Sequence, residues 1–234
     1  MIVFTGESHL GAIRRGGTEN PALTYWPLGA GGEVPTQFFR HAPETSSLHT
    51  TVKGWRNRVY SRETLTFDGS LALVALSLPL NTSRILRDYS WGTHVPWHLQ
   101  KTQEETPLSD AVIQSLCEQD YRYAIAFIAA LRDYGIPVVV LEGPHFFEHA
   151  SYLKTRRFDV CSYIDATYRK AVRTKLAEMN VDVIEQRPET LTALGATKAA
   201  YKHENPKDSH HANAKFGALV FKDLVGYAEK ADFL

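Results

Sequence analysis

Short apolar runs recur along the chain and alternate with segments of helical periodicity. The runs lie at 2–5, 23–27, 71–78, 136–141 and 181–184. In the run at 71–78 every residue except Ser77 is apolar. Because neighbouring side chains of a strand point to opposite faces, both faces of this strand are expected to be buried. Strands of this kind are typical of a parallel sheet that is covered on both sides.

Amphipathic segments predict helices between and after these strands. The predicted helices lie at 9–15, 107–134, 163–179 and 212–230. Strands that alternate with helices are typical of α/β folds. We therefore predict a single domain over residues 1–234, a three-layer α/β/α sandwich with a flavodoxin-like, mostly parallel sheet.

Two regions fit this alternation poorly. Between residues 33 and 69 the pattern predicts only a small hairpin, formed by Arg58–Tyr60 and Leu65–Phe67. The second region is a loop that carries Trp91, His94, Trp97 and His98. Its aromatic side chains could pack on a sugar ring or an acyl chain, or they could anchor an irregular loop to the core. The sequence pattern leaves both interpretations open.

The composition of the chain limits its expected binding partners and its expected cellular compartment. Lys plus Arg and Asp plus Glu both number 26, so the formal net charge is zero and neither a nucleic acid nor an anionic membrane is an expected partner. Cys117 and Cys161 cannot form a disulfide framework, which favours a reducing compartment. The chain has no apolar run near the ~20 residues of a bilayer span and no leader-like N-terminal segment. We therefore expect a cytoplasmic protein.

Candidate chemistry lies near the two ends of the chain. Ser8 follows the first predicted strand, whereas Asp208 and His211 come directly before the last predicted helix. A serine hydroxyl becomes an effective nucleophile when an imidazole takes its proton, and the imidazole needs a third group to fix its tautomer. Distant residues can meet in this way, because catalytic triads depend on geometry rather than order. Ser8 and Asp208 also have a simpler interpretation as helix N-caps.

Donors for an oxyanion follow two other predicted strands. Glycines occur within 29–32, after the strand at 23–27, and Asn81 follows the strand at 71–78. Ligands of open parallel sheets bind outside the carboxyl ends of the strands. A glycine N–H and an asparagine amide are suitable donors to the oxyanion of a tetrahedral intermediate. Asn81 could instead be a turn residue after its strand.

At this point the pattern resembles the SGNH (or GDSL) hydrolases. The first family motif stands here as Gly6-Glu7-Ser8-His9, and the last stands as Asp208-Ser209-His210-His211 before a helix. The resemblance implies that Ser8 is the nucleophile, His211 the base and Asp208 its orienting partner. By these motifs the chain is identified as a divergent member of the family.

The two middle motifs of the family are less complete in this chain. The resemblance implies a loop glycine as an oxyanion donor, and Gly31 is favoured among the candidates. It also implies Asn81 as a donor. The family motif Gly-x-Asn-Asp reads Pro79-Leu80-Asn81-Thr82 here, so only the asparagine is present.

These observations together predict a serine esterase that hydrolyses a carboxylic ester through an acyl-serine intermediate. No metal and no organic cofactor is required. The polar, aromatic-bearing loops and the lack of a long apolar lid favour O-acetyl groups on a saccharide, or another small-molecule ester, as substrate. The family also contains acyltransferases, and a site that excludes water can become one.

Two alternative functions remain. His145, Glu148 and His149 match the His-x-x-Glu-His pattern of certain zinc proteases, so they could support a metal-dependent hydrolase if the segment is helical. The second alternative is a non-catalytic SGNH-like domain that binds a carbohydrate or a protein. This alternative remains because the third family motif is incomplete. The glycines within 29–32 lack the ending of a phosphate-binding loop.

Overall fold

The computed structural model describes residues 1–17, 20, 23–28, 32, 34–51 and 64–234. In this part of the chain the strands are β1 (Ile2–Gly6), β2 (Leu23–Pro27), β3 (Phe39–Ala42), β4 (Ser47–Thr51), β5 (Thr64–Phe67), β6 (Leu73–Ser77), β7 (His94–Pro96), β8 (Thr106–Leu108), β9 (Val138–Leu141) and β10 (Asp182–Ile184). The α-helices are α1 (Leu10–Gly16), α2 (Ser83–Leu86), α3 (Asp110–Asp133), α4 (Phe158–Glu178) and α5 (Ala214–Lys230).

The central sheet is parallel and has the order β2–β1–β6–β9–β10. Numbered along the chain, these strands follow the order 2-1-3-4-5 of flavodoxin-like folds, as the sequence predicts. The register pairs Gly6 with both Pro27 and Ser77. The loops that follow these strands therefore leave the sheet at one carboxyl edge, which includes the loops of Ser8 and Asn81.

Helices cover the central sheet on both of its faces. Every residue of β1, β6 and β9 is buried, and consecutive strand residues point to opposite faces. Helix α1 packs against α5, and α3 packs against α4, so two helix pairs flank the sheet. The predicted α/β fold with its mostly parallel sheet is confirmed.

The region from 33 to 69 contains a second, antiparallel sheet of order β3–β4–β5. The predicted strand Leu65–Phe67 is present within β5, but its partner is β4, with Leu48 opposite Phe67. The expected pairing with Arg58–Tyr60 stays a prediction, because residues 58–60 lie outside the described part. Sequence patterning missed β3 and β4 because polar residues such as Arg40 and His49 interrupt their apolar positions.

Capping side chains set the ends of the long helices. The predicted helix from 107 begins only at Asp110, because the Ser109 side chain accepts a hydrogen bond from the Val112 N–H and residues before it form β8. The Asn213 side chain likewise accepts from the Phe216 N–H and starts α5 at Ala214. Among the described helices, none combines the length and the apolar character that crossing a bilayer requires.

Candidate active site

Ser8 lies at the turn that joins β1 to α1. The turn starts at Gly6, which has a φ of +144°, and a Cβ added there would lie 2.8 Å from the Ser77 Cβ. The Ser8 carbonyl accepts a hydrogen bond from the Gly11 N–H at 3.1 Å, so the chain enters the helix directly. The Ser8 side chain does not cap this helix, because the N-cap residue is His9 and no side chain caps it.

The structure brings Ser8, His211 and Asp208 into one hydrogen-bonded row. The Nε2 atom of His211 lies 2.7 Å from the Ser8 Oγ, and its Nδ1 lies 2.7 Å from the Asp208 Oδ2. The other oxygen of Asp208 accepts the backbone N–H of His211 at 2.9 Å. The carboxylate thus holds the backbone and the ring of His211 at once. These three predicted site residues meet across 203 positions of sequence.

The carboxylate in this row remains ionised. Burial of Asp208 opposes the charge, but hydrogen bonds from the backbone and ring of His211 outweigh it, so the pKa of Asp208 stays well below its usual value. An ionised carboxylate at Nδ1 fixes the tautomer that leaves Nε2 free to accept a proton. The arrangement is therefore able to transfer the hydroxyl proton of Ser8 to the ring.

Two further imidazoles adjoin His211. Its ring centroid lies 5.0 Å from that of His9 and 3.9 Å from that of His210. Burial, followed by His211, lowers the pKa of His9 well below its ordinary value and the pKa of His210 to about 4. Both rings are therefore neutral at pH 7, and neither contributes a second cation that would compete with His211 for the charge of Asp208.

Close contact between the first and last helices brings Ser8 and His211 together. A Cβ added to Gly217 of α5 would lie 1.9 Å from the carbonyl oxygen of Ala12 in α1. A Cβ added to Gly16 of α1 would lie 2.2 Å from the backbone of α5, at the Ala214 oxygen. Arg15 adds a hydrogen bond of 3.2 Å to the Ala212 carbonyl. Since Ser8 precedes α1 and His211 precedes α5, this contact sets the distance between them.

We predict that Gly217→Ala separates the two helices and weakens both stability and activity. The new methyl group has no room, and overpacking of this kind costs about 1–3 kcal/mol of unfolding free energy. Gly226→Ala is the matched control, because it lies in the same helix with no atom within 4 Å of the added Cβ. Helix propensity predicts a gain of up to ~1 kcal/mol for that control. Urea unfolding and ester hydrolysis of both variants measure the difference, and equal behaviour would contradict the proposed role of the helix contact.

Asn81 follows β6 and is buried beside Glu7. Its Nδ2 donates to the Glu7 Oε1, and its Oδ1 accepts the Ser83 N–H at 3.1 Å. Arg84 donates in turn to the Glu7 Oε2 at 3.2 Å and forms an ion pair with Asp120 at 2.9 Å. One amide hydrogen of Asn81 is thereby engaged, and the second remains to be donated. The predicted glycine donor, Gly31, lies outside the described residues.

A buried ion network beneath this edge was not predicted from the sequence. Arg169 donates to both oxygens of Asp165 at 3.1 Å and to the Glu142 Oε1 at 2.8 Å. Asp165 also accepts from Thr82, the residue after Asn81, and lies 2.5 Å from the Nδ1 of His145. The network therefore supports the loop that carries Asn81. In the sequence, only Glu142, a charged residue directly after a predicted strand, indicated a buried ion pair at this place. Asp165 and Arg169 lie four residues apart in an amphipathic helix, a spacing that by itself indicates an ordinary helix ion pair.

The interpretation of His145, Glu148 and His149 as a metal site requires correction. Residues 142–150 do not form a helix, so the spacing does not put both histidines on one face. The ring of His145 pairs with Asp165, and the Glu148 Oε1 accepts the Ala199 N–H at 2.7 Å. Within the described ranges, the group of side chains that could hold a metal ion is a different one, formed by Asp208, His210 and His211.

The Trp- and His-rich loop contributes to the core and to a groove. Trp91 is buried and donates its indole N–H to the Ile85 carbonyl at 2.8 Å, whereas Trp97 is 59% exposed. A groove of about 770 Å³ runs between this loop and α3. Its polar lining includes Arg84, Arg87, Asp88, Ser90 and Asp120, and its apolar lining includes Ile85, Leu108 and Leu116. Ser8, Asp208 and His211 do not line this groove; Arg84, which does, donates to the Oε2 of Glu7, the residue before Ser8.

Comparison with known proteins adds information about the fold. No protein-family model and no curated protein sequence matches the chain. Among solved structures, the extracellular lipase from Streptomyces rimosus is similar with a TM-score of 0.51 and 12% sequence identity, over 96% of this chain and 98% of the lipase. The chain therefore shares the α/β fold of this lipase.

Two other solved structures give lower scores. A GDSL-like lipase from Bacteroides thetaiotaomicron has a TM-score of 0.47 and 11% identity, over 98% of this chain and 88% of that one. An acetyl xylan esterase has a TM-score of 0.48 and 14% identity, over 97% and 98%. The resemblance that the short motifs predict is confirmed at the level of the fold by the Streptomyces rimosus lipase, with which the chain shares 12% sequence identity.

Proposed function

We propose that this protein is a serine esterase that hydrolyses a carboxylic ester through an acyl-serine intermediate. The observation that carries the proposal is the continuous row of Ser8, His211 and Asp208, with 2.7 Å on each side of the imidazole. Hydroxyl, imidazole and ionised carboxylate in this order are the groups that nucleophilic acyl transfer requires. The fold shared with SGNH hydrolases supports the same proposal.

The first half-reaction forms a bond between Ser8 and the acyl carbon. The Ser8 Oγ attacks the ester carbonyl while the His211 Nε2 takes the hydroxyl proton. As the tetrahedral intermediate collapses, the bond from the acyl carbon to the alcohol oxygen breaks, and His211 returns the proton to the leaving alcohol. Asp208 stays ionised throughout and stabilises the imidazolium.

The second half-reaction regenerates the serine. A water molecule gives a proton to His211 as its oxygen attacks the acyl carbon, and the bond to the Ser8 Oγ then breaks as the hydroxyl recovers its proton. We propose the backbone N–H of Ser8, the unengaged amide hydrogen of Asn81 and a glycine N–H of the 29–32 loop, with Gly31 favoured, as donors to the oxyanion. Donors preorganised in this way typically contribute 10²–10³-fold each to kcat.

An O-acetyl group on a saccharide is the substrate we propose. Support comes from the groove beside α3, whose arginine, aspartate and serine side chains can hydrogen-bond the hydroxyl groups of a sugar, while its apolar side chains can pack on the face of the ring. We predict that the rate of acetate release from acetylated xylan exceeds the rate of hydrolysis of a nitrophenyl ester with a long, fatty acyl chain. Faster hydrolysis of the long-chain ester, measured at equal enzyme concentration, would contradict this substrate class.

Covalent labelling tests the nucleophile directly. We expect a fluorophosphonate probe to modify the protein once per chain, with the adduct on the Ser8 Oγ, because an activated serine attacks the probe phosphorus and displaces fluoride. Intact mass and peptide mapping identify the site. Ser151→Ala is the matched control, since Ser151 is an exposed serine elsewhere in the fold, and it should label as the unsubstituted protein does. Folded protein that remains unlabelled would refute the proposed nucleophile.

A further inference from the structure

Three metal-ligating side chains cluster directly before α5. Asp208, His210 and His211 each offer one ligand atom, and these atoms all lie within 4.8 Å of one another. A carboxylate oxygen and two imidazole nitrogens are ordinary ligands of Zn²⁺. In the described part of the chain this group is distinct from the histidines near residue 145. The cluster includes the imidazole that the proposed esterase uses as its base.

The separations within this cluster are close to those of a tetrahedral zinc site. Zinc–ligand bonds of about 2.0–2.1 Å place neighbouring ligand atoms ~3.3 Å apart. The His210 Nδ1 lies 3.5 Å from the Asp208 Oδ1, and the His211 Nδ1 lies 2.7 Å from the Asp208 Oδ2. These two contacts use different oxygens of Asp208. One ligand atom from each of the three residues nevertheless lies within 4.8 Å of the other two, so changes in side-chain torsion angles alone would gather them around one ion.

His9 gives an independent indication of a ligand at this place. Its side chain is only 3% exposed, yet neither of its ring nitrogens has a hydrogen-bond partner. The Nδ1 of His210 is also buried and lacks a hydrogen-bond partner. Buried polar atoms without partners are costly, and a bound metal ion would supply the partner that these nitrogens lack. The ring of His9 lies 5.0 Å from that of His211 and 6.0 Å from that of His210.

We infer that Asp208, His210 and His211 form an inhibitory Zn²⁺ site, with His9 as the candidate fourth ligand. Zinc at the Nδ1 of His211 replaces the contact with Asp208, and zinc at its Nε2 replaces the contact with Ser8. Either mode removes a hydrogen bond that proton transfer needs, so bound zinc switches the enzyme off. The inhibitory part of this inference rests on the proposed esterase function, whereas the binding part does not.

Zinc binding is measured first, without any turnover. Purified protein competes with a chromophoric chelator for Zn²⁺ at pH 7.5, and we expect one ion per chain. Loss of an outer-sphere partner typically weakens metal affinity 10–100-fold, so His210→Ala, which removes a ligand, should weaken it at least tenfold. His149→Ala is the matched control, because His149 is exposed and lies outside the cluster. Circular dichroism verifies folding, and His210→Gln replaces the alanine variant if that variant does not fold.

Three results overturn the inference: no stoichiometric binding, equal affinity in the His210 variant, or affinity lost in His149→Ala. Ester hydrolysis then gives a separate readout. Zn²⁺ should inhibit the unsubstituted enzyme with a constant that matches its binding affinity, and a chelator should restore activity. If the enzyme hydrolyses esters and Zn²⁺ does not inhibit it, the inhibitory site is refuted and the proposed esterase function is not. A protein that binds zinc through His210 but hydrolyses no ester refutes the proposed function and leaves the metal site in place.

Discussion

Replacing Ser8 with alanine is expected to abolish ester hydrolysis while the fold remains intact. The variant lacks the oxygen that attacks the substrate and leaves His211 with no proton to accept, so kcat should fall by about 10⁴-fold or more. The hydroxyl is only partly buried, and its loss should change the unfolding free energy by no more than ~1 kcal/mol. Hydrolysis of nitrophenyl acetate and urea unfolding measure the two quantities.

The control for this experiment is Ser151→Ala, which should retain full turnover. Activity near the unsubstituted level in Ser8→Ala would mean that another group attacks the ester, or that the row of Ser8, His211 and Asp208 does not carry catalysis. A large loss of stability in the same variant would also contradict the expectation. In that case the contact between the hydroxyl and His211 would serve mainly to hold the two ends of the chain together.

Replacing Arg169 with methionine is expected to cause a large loss of stability. The guanidinium is 5% exposed and is the cation shared by the buried carboxylates of Asp165 and Glu142. It also donates to the Gly143 and Pro144 carbonyls at 3.3 and 3.0 Å. Removing one partner of a buried ion network leaves uncompensated charge and costs about 3–5 kcal/mol. The midpoint and slope of urea unfolding give the measured value.

Arg173→Met is the matched control for the loss of a cation. Arg173 contacts the same Glu142 at 2.8 Å, but its side chain is 34% exposed and its other partner is the exposed Glu185. Water compensates such a pair in part, so the expected cost is no more than ~1 kcal/mol. Similar losses of unfolding free energy in the two variants would contradict the proposal that burial makes the loss of Arg169 more costly.

The same network makes the folding stability of the protein depend on pH. Burial raises the pKa of Asp165, but Arg169 and then His145 outweigh burial and hold it well below the usual value; the pKa of Glu142 is lowered by Arg169 against burial in the same way. Each folded carboxylate then binds fewer protons than its unfolded form, so its stabilisation is present above about pH 4 and is lost as the pH falls further. Urea midpoints between pH 7 and pH 3 should therefore decline less steeply in Arg169→Met.

The local patterns of the chain were sufficient for its main elements. The run at 71–78 is apolar at every position except Ser77, which is typical of a strand covered on both faces, and β6 lies inside that run. Antiparallel β3 and β4 were not predictable, because polar residues interrupt their apolar positions and their partners are set by strand pairing rather than by a local pattern. The first residues of α3 and α5 depended on the N-cap side chains of Ser109 and Asn213, which the hydrophobic periodicity alone did not identify as caps.

The sequence by itself determined the α/β alternation and the residue types at the two ends of the chain, because hydrophobic period and strand-to-helix turns are local properties. Only the tertiary structure decided that Ser8 and His211 meet, since that depends on the glycine contact between α1 and α5. It also decided which buried charges share Arg169 and which imidazoles surround Asp208. These are contacts between residues far apart in sequence, and their energies depend on burial and on distances that no single segment specifies.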